Sequence, residues 1–111
     1  MLSVGYWELL RSWTLVAGIT GSAGSTSTSL NCPLGVALDP VGNMYIADTS
    51  NHRIQLFSAG QSNGTTIAGI TGSSGTSPSQ LARAYWAILD NNLNLYVADT
   101  FNHRIQKFEH Y

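Results

Sequence analysis

Residues 42–57 read GNMYIADTSNHRIQLF, and residues 93–108 read LNLYVADTFNHRIQKF. The two stretches lie 51 residues apart, and the same shift places residues 14–60 on residues 65–111 with 22 identities in 47 positions and no gap. A period near 50 residues is typical of proteins built from repeated sheet units. The chain is therefore predicted to contain two copies of one repeat after a degenerate N-terminal segment, residues 1–13.

The first repeat is assigned to residues 14–64 and the second to residues 65–111, each with the outer strand that precedes it. Within one period, four short runs are rich in β-branched and aromatic residues, and Gly, Asn, Asp and Pro separate them. The four runs are residues 36–39, 44–47, 53–57 and 65–70. Four antiparallel strands per repeat are the pattern of a β-propeller blade, so an all-β fold of two four-stranded units is expected.

The composition argues against two classes of protein, those that bind nucleic acid and those that span a membrane. Hydrophobic residues make up 43% and charged residues 10%, with a net charge of −1. The five Lys and Arg residues are scattered, whereas a surface that follows phosphates needs them clustered, so nucleic-acid binding is not expected. No apolar run approaches the roughly 20 residues that span a bilayer, so no membrane segment is expected.

Three segments of the first copy resemble the NHL repeat: residues 32–39 (CPLGVALD), 42–49 (GNMYIADT) and 51–57 (NHRIQLF). The family takes its name from an Asn-His-Leu-like triplet, which here is Asn-His-Arg followed by Ile. The resemblance implies a β-propeller, typically of about four to eight blades, that serves mostly as a platform for protein or RNA. Alternatives are an RNA-binding module, an inactive fragment, or part of an enzyme whose active site lies in the complete ring.

The second copy departs from the first at two structurally demanding positions. Trp86 stands where the first copy has Gly35, and this bulk is hard to fit near a propeller axis. Leu93 stands where the first copy has the turn residue Gly42, and an asparagine of the same turn is expected to supply the positive φ. Departures from the first blade are therefore expected at the inner edge of the second.

Alternate loops of an antiparallel sheet emerge at the same end. The loops 21–31 and 72–83 are therefore expected to share one end with the turns 48–53 and 99–104. We call this end the motif face. Loops on a rigid scaffold often carry binding, so a protein or peptide partner is expected here.

Phe101 is the leading candidate for a binding residue on the motif face. It occupies a turn position that is Ser50 in the first copy, so the fold itself does not require an aromatic there. His52 and His103 lie in the same turns and complete the candidate binding face. The alternative is that Phe101 only packs on a neighbouring loop.

A second group of residues recurs in both copies: Asp48 with Arg53, and Asp99 with Arg104. With the neighbouring histidines, these carboxylates could suggest a metal site. An active site usually occurs once, however, whereas a structural device recurs in every blade. Each aspartate is therefore interpreted as accepting N–H groups of its own turn and pairing with its arginine. No catalytic residue, metal or cofactor is expected.

Residues 14–19 match the fourth strand of the repeat, whereas the second copy ends after its third strand, residues 104–108. Two blades cannot curve into a ring, and stacked repeats usually need at least about three units. The apolar residues Val36, Leu38, Ile46 and Ile54 are expected to be exposed. The chain is therefore expected to need further blades or self-association.

Overall fold

The structure is a computed structural model that describes residues 12–110. Its seven strands form two antiparallel sheets, with the order β1-β2-β3-β4 in the first and β5-β6-β7 in the second. The strands are β1 (Pro33–Leu38), β2 (Met44–Asp48), β3 (Arg53–Phe57), β4 (Thr65–Gly69), β5 (Trp86–Leu89), β6 (Leu95–Asp99) and β7 (Arg104–Phe108). We call the first sheet blade 1 and the second blade 2; the prediction of all-β blades is confirmed.

Single 3₁₀ turns, Thr49–Asn51 and Thr100–Asn102, join the second and third strands of the two blades. None of the helical segments within residues 12–110 has the length and hydropathy of a membrane-spanning helix.

The tight turn between the first two strands of each blade is held by an aspartate. In blade 2, Asp90 Oδ1 accepts hydrogen bonds from the N–H groups of Asn92 and Asn94, both at 2.9 Å. Hydrogen bonds from Asn94 are the main reason why the pKa of Asp90 is lowered. The expectation that an asparagine supplies the positive φ here is wrong, because Leu93 itself has φ 63°, matching Gly42 at 91° in blade 1. Three hydrogen bonds to one aspartate side chain hold the turn in this conformation.

The two blades pack face to face, and their contact, which we call the joint, is the hydrophobic core. Blade 1 packs with the side of its sheet that carries Tyr45, Ala47 and Ile54. Blade 2 packs with the opposite side of the repeat, which in its own sheet carries Leu95 and Val97. The buried members are Tyr45, Ala47, Ile54, Ala68, Leu81, Ala84, Ala87, Leu95 and Val97. One blade therefore uses one face of the repeat, and its neighbour uses the other.

Trp86 lies across the joint on Gly35. A β-carbon added to Gly35 would lie 2.8 Å from Trp86 Cδ2 and 2.9 Å from the Tyr85 carbonyl oxygen. The inner edge therefore accommodates the tryptophan because the equivalent position of the preceding blade has no side chain.

Two expectations about the chain's unpaired surfaces are wrong. Residues 14–19 form no strand; they contain only one end of an isolated bridge between Ile19 and Ser22. A strand of the fourth type needs a third strand beside it, as β4 has in β3, and none of the seven strands found in residues 12–110 lies beside residues 14–19. Ile46 and Ile54 are buried, at 6% and 0% exposed, because Ile54 lies in the joint and residues 16, 17 and 30 line the same groove as Ile46.

Candidate recognition site on the motif face

The motif face is formed by the loops that were expected, from the sequence, to lie at one end of the sheet. Arg53, the first residue of β3, extends its guanidinium into the loop 21–31. It donates to the carbonyl oxygens of Ser25 at 3.1 Å and of Thr26 and Ser29 at 3.0 Å. Because arginine has five donors in a planar array, one side chain fixes several turns of this loop.

Asp48 holds this arginine and is itself fully buried. Its Oδ2 accepts from Arg53 Nε at 2.7 Å and from Asn51 Nδ2 at 2.9 Å. Its Oδ1 accepts from the N–H of Asn31 at 2.7 Å. The ion pair agrees with the interpretation from the sequence. The expected backbone donor does not, because it is the N–H of Asn31 in the preceding loop and not an N–H of the turn that follows Asp48.

Blade 2 repeats the device. Asp99 accepts from Arg104 Nε at 2.7 Å, Asn102 Nδ2 at 3.0 Å and the N–H of Ala82 at 2.7 Å. The side chain of Arg104 is 27% exposed, against 3% for Arg53. Protein donors occupy both oxygens of each carboxylate, and within residues 12–110 no three His, Cys, Asp or Glu side chains gather in a metal-binding group. We call each pair, Asp48 with Arg53 and Asp99 with Arg104, a loop clamp, because the pair holds the loop that precedes it in the chain.

His52 connects the two blades on the same face. It follows the first 3₁₀ turn with φ 58°, and its Nδ1 accepts the N–H of Arg83 at 3.1 Å across the joint. The guanidinium of Arg83 donates to Ser50 Oγ at 3.2 Å. Ser50 and His52 are thus brought together through Arg83, a residue that the sequence analysis did not select. Arg83 differs from Cys32, the equivalent residue of the first copy, and this difference could have marked it as a candidate site residue.

Phe101 lies beside Arg83 and forms an exposed cluster with Tyr85. The Arg83 guanidinium carbon is 5.8 Å from the centre of the Phe101 ring, and the ring centres of Tyr85 and Phe101 are 6.2 Å apart. Phe101 is 56% exposed and Tyr85 is 40% exposed. We call Arg83, Tyr85 and Phe101 the aromatic patch. His103 is exposed at the end of the second 3₁₀ turn, and its ring makes no hydrogen bond to another residue of the described part of the chain.

The hydrogen bond of His52 predicts a pH-dependent stability. Burial, and then the charge of Arg83, lower the pKa of His52 below its usual value of 6.5. The folded protein thus favours neutral His52, whereas the unfolded chain binds the proton near pH 6.5, so the stabilisation is present above that pH and lost below it. Between pH 7.5 and pH 5, the free energy of unfolding of the wild type is expected to fall by about 1 kcal/mol more than that of the His52→Asn variant.

Urea denaturation at fixed protein concentration measures this difference at each pH. His103→Asn is the matched control, because it removes the equivalent histidine without removing a bond between blades. An equal pH dependence in the wild type and His52→Asn would contradict the assignment.

The matches to known proteins agree with this architecture. A family profile described as the NHL repeat matches residues 30–57 and 87–108. The human protein NHL repeat-containing protein 2 is 38% identical over 87 residues, which cover 72% of this chain and 12% of the relative. The proteins of that name from Bos taurus and Gallus gallus are 39% and 33% identical over 69% and 72% of this chain. The chain spans 12% of the length of these curated relatives. With two blades that carry the repeat at both matched positions, the chain belongs to the NHL-repeat family.

Proposed function

We propose that this chain is a non-catalytic recognition module that binds a peptide segment of a partner protein through the aromatic patch on the motif face. The observation that carries the proposal is the exposed phenylalanine at a position where the first repeat has Ser50. The fold forms the same turn with serine, so the aromatic side chain is available for another role.

The chemistry of the patch supports protein recognition. Aromatic residues and arginine are enriched at protein interfaces and dominate their binding energy. Phe101 and Tyr85 offer ring surface to an apolar side chain, and Arg83 offers a cation to a carbonyl or carboxylate. Rigid support comes from below, because the N–H of Phe101 donates to the Ala82 carbonyl at 3.1 Å and Ser50 accepts from Arg83.

The other cations within residues 12–110 support this choice over RNA. Arg53 and Arg104 are engaged in ion pairs with the loop-clamp aspartates, and Lys107 lies 5.8 Å from the ring of Tyr96 on β6. Arg83 is the single cation of the patch, whereas a phosphate-tracking surface needs several.

We expect Phe101→Ser to weaken peptide binding by about 2 kcal/mol, or roughly 30-fold, with folding intact. The measurement begins with selection of peptides on the wild-type chain from a displayed random library. The affinities of the selected peptides are then compared by fluorescence polarisation, with circular dichroism as the folding check.

Val41→Ser is the matched control, because Val41 is 73% exposed in the turn at the opposite end of blade 1. Arg83→Gln is expected to weaken binding as well, since it removes the cation and keeps the backbone donor to His52. Selected peptides that bind Phe101→Ser as tightly as the wild type would remove the patch from the site.

A further inference from the structure

Arg83 is held between the two blades with one edge of its guanidinium unused. Its Nη1 donates to Ser50 Oγ of blade 1 at 3.2 Å, and its guanidinium carbon lies 5.8 Å from the centre of the Phe101 ring of blade 2. The N–H groups of Nε and Nη2 lie on one edge of the guanidinium and make no hydrogen bond to any residue in the range 12–110. Arginine binds carboxylates through two parallel N–H groups of this kind. The partly exposed Arg83 therefore offers a preformed edge to a carboxylate.

The charge of Arg83 is not compensated by the described part of the chain. The two loop clamps neutralise their own arginines, because each guanidinium pairs with an aspartate at 2.7 Å. The third ion pair among residues 12–110 joins Lys107 to Glu109, so none of the three involves Arg83. Within these residues, the motif face thus presents one positive charge that lacks a carboxylate partner.

Among residues 12–110, the carboxylates without a cationic partner lie at the other end of the blades. Strand register places Asp39 and Asp90 beyond the ends of β1 and β5 that are remote from the motif face. Both carboxylates are held by amide groups of their own turns, from Asn43 and Asn94. This part of the chain is therefore polarised, positive at the motif face and negative at the opposite end. Such a charge distribution favours the approach of an anionic segment to the motif face.

A carboxylate fits the patch better than a phosphate group does. A phosphate monoester carries a charge of about −1.5 to −2 at neutral pH and is typically recognised by a cluster of arginines. The aromatic patch has one arginine, and His52 beside it accepts a hydrogen bond from the Arg83 N–H as a neutral imidazole. One guanidinium matches the single charge of a carboxylate. The rings of Tyr85 and Phe101, 6.2 Å apart, lie next to it and fit an apolar side chain.

We infer that the ligand of the aromatic patch is an acidic peptide segment. A carboxylate of this segment binds the Nε and Nη2 edge of Arg83, and a neighbouring apolar side chain contacts Tyr85 and Phe101. Ser50 and Phe101 hold the guanidinium before the ligand arrives, so less side-chain freedom is lost on binding. The inference rests on the proposed function, because it names the chemistry of the ligand at the same site.

Fluorescence polarisation with peptides selected on the wild-type chain tests the role of the carboxylate. Each peptide is synthesised with a free and an amidated C-terminus, and with its Asp and Glu residues replaced by Asn and Gln. The first change reports a chain-end carboxylate, and the second reports a side-chain carboxylate. Removal of the binding carboxylate is expected to weaken affinity for the wild type about tenfold, since a hydrogen bond between charged groups is lost. The same removal should change affinity for Arg83→Gln less than about twofold, because this variant lacks the cation.

Arg83→Lys and Lys107→Gln are the matched controls, and circular dichroism checks that each variant folds. Arg83→Lys keeps the charge but loses the planar pair of donors, so its affinity is expected to lie between those of the wild type and Arg83→Gln. Lys107→Gln removes one positive charge from β7 near the opposite end of blade 2. It should keep the full preference for the acidic peptide over its neutral form.

An equal loss of affinity in the wild type and Arg83→Gln, when the carboxylate is removed, would overturn the inference. Selected peptides that bind as tightly without any carboxylate would overturn it too. In both results Phe101→Ser still weakens binding if the proposed function holds. If the proposed function itself fails, and the inference with it, the selected peptides bind Phe101→Ser as tightly as the wild type.

Discussion

Replacement of Asp48 by alanine is expected to lower the free energy of unfolding by about 3–5 kcal/mol, the cost of breaking a buried ion pair by removing one partner. The side chain of Arg53 is 3% exposed and keeps its charge when the carboxylate is gone. Its remaining donors are held by carbonyl groups of the loop 21–31 and by the Thr71 hydroxyl, so the guanidinium cannot turn towards water without opening that loop. The variant also leaves the N–H of Asn31 without its acceptor.

The repeat supplies the matched control, Asp99→Ala. Its partner Arg104 is 27% exposed and is therefore partly solvated once the carboxylate is removed. We expect a smaller loss, about 1–3 kcal/mol, which is typical of a buried group that loses its hydrogen-bond partner. Urea denaturation of both variants at one protein concentration gives the difference. Unchanged stability together with the loss of metal uptake would contradict the structural role and indicate a metal site instead.

The loop clamp was largely predictable because its main contact is local. Asp48 and Arg53 are direct neighbours across the β2–β3 hairpin, so strand register alone brings their side chains together. The recurrence of both residues in the second copy then indicated a structural role. The backbone partner, Asn31, was not predictable, because the path of the preceding loop depends on the arginine that holds it.

The aromatic patch was predictable only in part. Phe101 was selected because it differs from Ser50, a comparison that the repeat makes possible. Arg83 and Tyr85 also differ from their counterparts, but their contact with Phe101 joins two loops whose separation depends on the packing of blade 2. Departures between the copies were therefore informative about the site, and only the structure shows which of them meet.

Features that depend on a neighbouring strand or blade were the least predictable. Residues 14–19 share their pattern with β4, but a strand forms only beside a partner strand, and they have none among the described residues. Trp86 looked difficult to place because the sequence does not show that Gly35 lies opposite it. In both cases the outcome depends on the partner across the sheet or the joint, which the local pattern does not show.

Gly69 should be the position least tolerant of alanine in the outer part of blade 1. It pairs with Arg53 beside a register shift between β3 and β4, and its φ is 81°. An added β-carbon would overlap the His52 carbonyl oxygen and lie 3.0 Å from Arg53 Cα, so the backbone of β3 would have to move. Left-handed strain of about 1–2 kcal/mol and a packing cost of about 1–3 kcal/mol together predict a loss of about 2–5 kcal/mol.

Gly18 is the equivalent glycine of the first copy and separates these two costs. Its φ of 86° is nearly the same, but an added β-carbon would only touch the Leu30 side chain at 3.4 Å, an ordinary contact. Gly18→Ala is therefore expected to cost only the strain, about 1–2 kcal/mol. The excess loss in Gly69→Ala, measured from urea midpoints, reports the contact between β4 and the backbone that carries His52. Equal losses in the two variants would show that β3 yields to the β-carbon without cost, and His52 would then not be held in place by the outer strand.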